Sequence, residues 1–286
     1  MRAILFGAGG TLGQALAATL PRAGYQLAAS LDRASCDICD PGAVRAAFER
    51  FAPAVAFNAA VYTDVDRAET EPDRAYAANA IAPETLARAA DAAGAALVHY
   101  STDFVYDGER ERPYDEFDPP SPQGLYARSK VAGEVLAAAA TRRLFILRVG
   151  CLYGRGGRNF PSTILRRLKA GEVVRADRDR LGSPTWVAEV AQVSAALART
   201  SSFGLYHCTS AGETSWAAFA HFLAGELALP EGRVEALPTS ALPMKAPRPR
   251  RAILDNRMLR LRGLDTMSSW QEAARAFMKS ESEATA

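Results

Sequence analysis

A doubly wound parallel α/β sheet, covered by helices on both faces, is the fold predicted by the sequence. Three observations predict it. Strand-like and helix-like segments alternate through the first half of the chain, which implies parallel strands joined by crossover helices. The strand-like runs are apolar along their length, as befits strands buried on both faces. A glycine-rich turn stands between the first strand and the first helix.

The elements follow in order. Ala3 to Phe6 reads as a strand, Leu12 to Leu20 as a helix and Tyr25 to Leu31 as a second strand. Pro41 to Phe51 reads as a helix, with Asp40 as N-cap ahead of a proline at the first helical position. Ala54 to Phe57 is a strand, and Asp73 to Ala93 a single Ala-rich helix that stops at Gly94. Ala95 to Tyr100 is the next strand. Gly108 to Gly124, rich in proline and acidic residues, reads as an ordered surface loop. A helix from Tyr126 to Ala140 and a strand from Leu144 to Val149 close this half. Beyond Cys151 the pattern is less regular. Arg155-Gly156-Gly157-Arg158 reads as a flexible turn, and Pro243 to Arg251 is excluded from helix or central strand by its prolines. The expected organisation is a dinucleotide-type domain over residues 1–150. A smaller substrate-binding lobe covers 151–286, with some segments returning to the first domain.

Composition limits the function classes. The chain has 286 residues, enough for one large α/β domain with a lobe attached, and at that size roughly three-quarters of the unfolded surface is buried. A net charge of +2 gives no case for a nucleic-acid or membrane partner. Four cysteines are too few for a disulfide framework. Cys36-x-x-Cys39 has no second cysteine or histidine pair at a spacing that would complete a zinc site, so no metal is expected. The N-terminus lacks the apolar stretch of a signal peptide, and the expected location is the cytoplasm.

Gly7-Ala8-Gly9-Gly10-Thr11-Leu12-Gly13 supplies the first functional signal. A G-x-x-G-x-x-G spacing between strand and helix is the context that makes a glycine motif a dinucleotide site. Gly7 permits the tight turn, a central glycine lets the backbone approach a pyrophosphate, and Gly13 lets the helix pack on the sheet. The helix N-terminus offers free N–H groups and a positive dipole end to phosphate. The sheet is therefore of the Rossmann type. Asp32, after the second strand, can bond an adenosine ribose; Arg33 beside it can accept a 2′-phosphate. The two argue in opposite directions, so either NADH or NADPH is expected.

Tyr126-Ala127-Arg128-Ser129-Lys130 supplies the second. Positions i and i+4 share a helix face. An ammonium roughly 4 Å from a phenol, at an effective dielectric of about 20, is worth about 4 kcal/mol, or roughly three pKa units. That would bring the phenol near 7, where general acid–base catalysis works best. The preceding strand ends in His99-Tyr100-Ser101-Thr102, and Thr102 or Ser101 can supply a second hydroxyl to hold a carbonyl.

These features resemble the extended short-chain dehydrogenase/reductases, and within them the dTDP-4-dehydrorhamnose reductase family. Ser101-Thr102-Asp103-Phe104-Val105-Tyr106-Asp107-Gly108 resembles that family's S-T-D-Y-V-F-D-G, the most specific segment. Asn58 to Glu69 resembles N-A-A-A-Y-T-A-V-D-K-A-E, Gly182-Ser183-Pro184-Thr185 resembles G-S-P-T, and Arg248-Pro249 with Leu254-Asp255 resembles R-P…L-D. The resemblance runs to about residue 262. It implies reduction of the C4 ketone of dTDP-4-dehydrorhamnose to dTDP-L-rhamnose, a step in cell-surface polysaccharide biosynthesis. Thr102, Tyr126 and Lys130 would be catalytic. Asp37-Ile38 would flank the adenine, and Ala60, Val61, Tyr62 and Thr63 would line the nicotinamide side. Asp103, Cys151, Asn159 and Phe160 would lie near the substrate, a nucleotide sugar. A homodimer is compatible with it. Two positions depart from the family pattern: Cys151 stands where a tryptophan is common, and Arg180 where a glutamine is. Ala15 stands where some members place a metal-binding glutamate, consistent with no metal. Competing readings are a reductase or epimerase for another nucleotide sugar, and a noncatalytic subunit similar to the beta subunit of methionine adenosyltransferase.

Overall fold

The computed structural model describes residues 1–156 and 159–283. The chain runs β1 (Arg2–Phe6), α1 (Thr11–Arg22), β2 (Gln26–Leu31), α2 (Pro41–Phe51), β3 (Val55–Asn58), α3 (Val65–Ala68) and α4 (Pro72–Tyr76). A π-helical turn, Ala77–Ile81, leads into α5 (Ala82–Ala92), followed by β4 (Ala96–Thr102), α6 (Leu125–Ala140) and β5 (Leu144–Val149). Among the described residues, six strands form one sheet. The sixth, β10 (Gly204–His207), comes from the C-terminal half. The spatial order is β10-β5-β4-β3-β1-β2, with every pairing parallel. This is the predicted doubly wound, Rossmann-type sheet.

Each face of the sheet carries its own core. Leu12, Leu16 and Leu20 of α1 pack with Val187 and Val190 of α8 (Val187–Leu197) over one face. Val44 and Phe48 of α2, Leu86 and Ala90 of α5 and Ala137 of α6 cover the other. Strands β3 and β4 are buried along their whole length, which is why their first halves read as apolar runs while the polar residues fall toward their C-terminal ends.

The chain moves outward from β1 to β2, then crosses β1 to lay down β3 on its far side. The strand order therefore reverses at the C-terminal ends of β1 and β3, where open α/β sheets bind their ligands.

The remaining elements are β6 (Leu152–Tyr153), α7 (Phe160–Lys169), β7 (Val174–Asp177), β8 (Leu181–Gly182), β9 (Thr185–Trp186), β11 (Thr214–Ser215), α9 (Trp216–Glu226), β12 (Val234–Leu237), α10 (Arg257–Leu261) and α11 (Trp270–Glu283). Short strands pair two by two: β6 with β9, β8 with β11, β7 with β12. Tyr153, Leu168, Phe219, Trp270 and Phe277 form a separate core beneath them.

The bounds of α2 and β5 match the sequence reading, and Asp40 caps α2 by accepting from the N–H groups of Gly42 and Ala43. One expectation needs correction. The helix expected from Asp73 to Ala93 starts at Pro72 and is interrupted by the π turn. An extra residue in a helical turn costs regular hydrogen bonding, and such turns mark places where tertiary contacts prevail. Gly157 and Arg158 of the expected flexible turn lie outside the described residues, as do residues 284–286 of the C-terminal lobe.

Candidate active site

The glycine turn is built by close backbone approach. Gly7 has φ +79°, and a Cβ there would stand 2.4 Å from the Ala60 nitrogen. A Cβ at Gly13 would stand 2.0 Å from the Gly7 carbonyl oxygen. The Gly7 and Ala8 N–H groups both donate to Leu31 O, at 2.8 and 3.0 Å, which ties the turn to the end of β2. Helix α1 begins with Gly10 as N-cap, with no side-chain cap and no acidic residue in its first turn. The N–H groups of Thr11, Leu12 and Gly13 therefore have no intrahelical partner and face an open end of positive potential.

At the end of β2, Asp32 Oδ1 accepts from the N–H and the hydroxyl of Ser35, at 2.9 and 2.7 Å. These bonds hold its carboxyl below the usual range. Arg33 is 79% exposed and reaches Asp37 at 3.3 Å, a pair open to solvent. Asp37 Oδ1 accepts from the Cys39 N–H, while Ile38 is buried in the sheet core. Cys36 and Cys39 are free thiols, one buried and one exposed.

Across the switch point, the loop after β3 carries Ala60 to Thr63. Ala60 N–H donates to Asn58 Oδ1 at 3.2 Å, and Val61 and Thr63 are exposed. Asn79, from the π turn, clamps Tyr62: its Oδ1 accepts from Tyr62 N–H at 2.9 Å, and its Nδ2 donates to Tyr62 O at 3.1 Å. The same Nδ2 lies 3.1 Å from Ser129 Oγ on α6. Asn79 thus joins the loop after β3 to α6. Sequence reading passed over it, although an asparagine inside an Ala-rich helix is a signal, because its side chain competes with the helical backbone.

Thr102, Tyr126 and Lys130 do come together. Thr102 ends β4, and the other two stand one turn apart on α6. Lys130 is 2% exposed, and its Nζ donates to Tyr100 O at 2.6 Å. Burial pulls the ammonium down to about 8, opposed by the Glu134 carboxylate. The expected effect of Lys130 on the phenol is not found. Burial pushes Tyr126 up to about 12; the Thr102 hydroxyl lowers it and the Asp103 carboxyl raises it. In place of a phenol near 7, the site holds one that keeps its proton at neutral pH. The ammonium is engaged with the Tyr100 main-chain carbonyl, and desolvation dominates the phenol. Asp103 is itself buried and pushed up to about 7.

Behind Lys130 lies a buried polar network with no counterpart in the sequence reading. Glu134, one further turn along α6, takes both its oxygens to Arg148 of β5, at 2.9 and 2.6 Å. Arg148 donates to Tyr106 Oη at 2.6 Å, and that hydroxyl lies 2.9 Å from His207 Nε2. Partners this far apart in sequence leave no local pattern to read.

Of the residues expected near the substrate, Cys151 sits between β5 and β6 with φ +50°. Burial pushes its thiol well above the usual value; the Asp103 carboxyl adds to this and Arg180 opposes it. Arg180 is anchored by Asp177 at 2.6 Å. Asn159 caps α7, its Oδ1 accepting from Ser162 N–H and its Nδ2 donating to Gly154 O. Phe160 is half-exposed, its ring edge-on to Trp216. Arg248 pairs through both arms with Asp66, at 2.9 Å each, so this arginine locks the proline-rich loop to the segment after β3.

The family profile described as the RmlD substrate binding domain matches residues 1–283. A dTDP-4-dehydrorhamnose reductase of Streptomyces griseus is 38% identical, over 95% of this chain and 91% of its own length. A probable dTDP-4,6-dihydroxy-2-methyloxan-3-one 4-ketoreductase of Streptomyces antibioticus is 35% identical over 96% and 94%. Among solved structures, the dTDP-4-dehydrorhamnose reductase of Bacillus anthracis in complex with NADP superposes with a TM-score of 0.94 at 36% identity, covering 98% of this chain and 99% of that one. A sheet with an uncapped glycine turn at its switch point, a Thr-Tyr-Lys group at the end of β4 and these full-length likenesses agree: the chain belongs to the dTDP-4-dehydrorhamnose reductase family.

Proposed function

We propose that the protein is an NAD(P)H-dependent oxidoreductase that reduces the C4 ketone of a nucleotide 6-deoxy-4-ketohexose, dTDP-4-dehydrorhamnose to dTDP-L-rhamnose, in dTDP-rhamnose biosynthesis. The observation that carries this reading is the meeting of Thr102, Tyr126 and Lys130 at the C-terminal edge of the sheet, the edge on which α1 also opens. The dinucleotide fits the residues present: the turn leaves the N–H groups of the first turn of α1 without a side-chain cap, and a Cβ at Gly10 would make only an ordinary contact, with Gly7 O at 3.5 Å. When bound, the reduced nicotinamide supplies a hydride to the substrate carbon.

The chain's own residues do the rest. Thr102 and Tyr126 hold the ketone oxygen, and Tyr126 delivers a proton to it as the alkoxide develops. An alkoxide is a far stronger base than a phenolate, so the phenol of this site is acid enough for that transfer. Lys130, charged at neutral pH, holds the ribose on the nicotinamide side. Asn79 fixes the backbone of Tyr62 and, through it, the loop from Ala60 to Thr63. Arg33 accepts a 2′-phosphate. Asp32, whose Oδ1 is already bonded to Ser35, discriminates weakly against it. The lobe over residues 151–286, with β10 and α8 returning to the sheet, covers the sugar nucleotide. Asp103, Cys151, Asn159 and Phe160 lie on that side.

A second reading, reduction of a related nucleotide sugar, is favoured by Cys151 and Arg180 and by the likeness to the Streptomyces antibioticus ketoreductase. A purely regulatory subunit would have no use for the complete Thr-Tyr-Lys group. Among the described residues no helix is long and apolar enough to cross a membrane; a cytoplasmic location goes with the proposed reaction. A homodimer would cover Ile81 and Val135, exposed on neighbouring helical segments. The test is incubation with NADPH, then NADH, and a panel of nucleotide 4-ketosugars, with loss of nicotinamide absorbance and product identification by NMR. Reduction of the dTDP-linked 6-deoxyhexulose is expected. Failure to reduce any nucleotide ketosugar would overturn the proposal.

A further inference from the structure

Thr102 has a hydrogen-bonding conflict that its neighbour resolves. A threonine hydroxyl has one hydrogen to donate and two lone pairs to accept with. Phe104 N–H donates to Thr102 Oγ1 at 3.2 Å, and Asp103 Oδ1 lies 2.9 Å from the same oxygen. An ionised carboxylate can only accept. With Asp103 ionised, the single hydrogen of Thr102 goes to Asp103 and is lost to the ketone. With Asp103 protonated, the acid O–H donates into the second lone pair of Oγ1. The threonine O–H then turns outward, toward Tyr126 and the place of the ketone oxygen.

We propose that Asp103 works as a carboxylic acid, donating to Thr102 Oγ1 so that the threonine hydroxyl points at the substrate carbonyl. Asp103 is then a positioning residue. Its proton stays on it throughout, and its ionisation turns the hydroxyl away and slows reduction. The inference rests on the reaction proposed above.

The surroundings favour the acid. Asp103 is 3% exposed. A Cβ at Gly150 would stand 2.7 Å from its Oδ2, so main chain closes that side. Tyr126 faces it from α6 and Cys151 from the β5–β6 junction. The phenol, near 12, and the thiol, well above its usual value, are both neutral at neutral pH. Arg180 faces Cys151 and is paired with Asp177. Among the described residues no lysine or arginine charge acts on Asp103, and burial pushes its carboxyl up to about 7, against the Thr102 hydroxyl and the N–H groups of Asp103 and Phe104, which lower it.

The test is the pH dependence of kcat/KM for ketone reduction with NADPH, in the wild type and in Asp103→Asn. The asparagine amide can still donate to Oγ1 but cannot ionise. The wild type should lose activity above neutrality, about tenfold per pH unit. Asp103→Asn should lower the plateau, as befits a residue beside the substrate, and move its alkaline limb up to the region where Lys130 loses its proton. Wild-type activity that rises through neutrality would mean the carboxylate is the working form and would overturn the proposal. An unchanged limb in Asp103→Asn would overturn it too. Infrared difference spectra of the wild type and Asp103→Asn separate this proposal from the reaction assignment. A carboxylic-acid carbonyl band below neutrality, absent from the variant, supports a protonated Asp103 even if no ketosugar is reduced, and the reaction assignment is then what fails. Absence of that band overturns the proposal.

Discussion

Replacing Gly13 with alanine should separate the two demands placed on the glycine turn. The new Cβ would stand 2.0 Å from Gly7 O, 2.8 Å from Gly7 C and 2.9 Å from Ala8 Cα. All three are main-chain atoms, so no rotamer change relieves them. Ordinary contact begins at 3.4 Å, so the helix and the turn must separate by roughly 1.4 Å to reach the density of a packed interior. Gly7 cannot yield easily, because its N–H is bonded to Leu31 O and Ala60 closes its other side. Overpacking of this kind costs about 1–3 kcal/mol, which at this chain length lowers Tm by roughly 2–12 °C. Displacing the helix N-terminus from the phosphates should also weaken NADPH binding at least tenfold, or about 1.4 kcal/mol. Gly10→Ala is the control. Its Cβ would find Gly7 O at 3.5 Å, an ordinary contact, and its φ of −78° suits alanine. That variant should melt within about 1 kcal/mol of the wild type yet bind NADPH poorly, because the methyl group fills the space kept for pyrophosphate. Thermal melts and nicotinamide fluorescence titrations read both effects. A Gly13→Ala protein that melts and binds like the wild type would refute the argument. So would a Gly10→Ala protein destabilised as much as Gly13→Ala.

Tyr126→Phe should leave NADPH affinity nearly intact and lower kcat by about 10²–10⁴, the range for loss of a general acid; single-turnover kinetics with near wild-type rates would remove Tyr126 from proton transfer. Arg33→Ala should raise KM for NADPH more than for NADH, since only NADPH carries the 2′-phosphate, and equal losses would rule the arginine out of that role. Glu134→Gln leaves Arg148 buried without its counter-charge and should cost about 3–5 kcal/mol in denaturant melts. Glu134 also supports the charge of Lys130, whose affinity for its proton is already reduced by burial. The variant should therefore lose NADPH binding at a lower pH than the wild type. An unchanged pH profile in a less stable protein would limit Glu134 to a structural role.

What the sequence revealed depended on how local each cause was. The Asp40 cap, the proline at the first position of α2 and the apolar run of β5 act over a few residues, and these elements appear at the predicted bounds. The glycine turn and Tyr126/Lys130 were legible because their spacing is itself the chemistry. The π turn was not, because Asn79 is held by Tyr62 and Ser129, 17 and 50 residues away. Strands of two residues, such as β6, β8, β9 and β11, are too short for any period to show. The Arg248–Asp66 pair joins positions 182 residues apart. Its arginine could be seen in the sequence, but its partner could not.

The one quantitative expectation that failed says most about how the site works. Helical spacing put Lys130 on the same face as Tyr126 and suggested that it would depress the phenol. Spacing fixes direction, however, and not dielectric. Both groups are enclosed, and enclosure penalises whichever form is charged. For the phenol that form is the phenolate, so Tyr126 rises to about 12; for the amine it is the ammonium, so Lys130 falls to about 8. At neutral pH the pair is then a protonated tyrosine beside a lysine that is still mostly cationic. The proposed ketone reduction would start from that state, with the proton on the tyrosine and the charge on the lysine. Alcohol oxidation would require the phenolate, which burial disfavours here. Desolvation therefore holds the pair in the protonation state from which reduction would start. The bias on the lysine is held in check from behind by Glu134, which is fixed in place by Arg148.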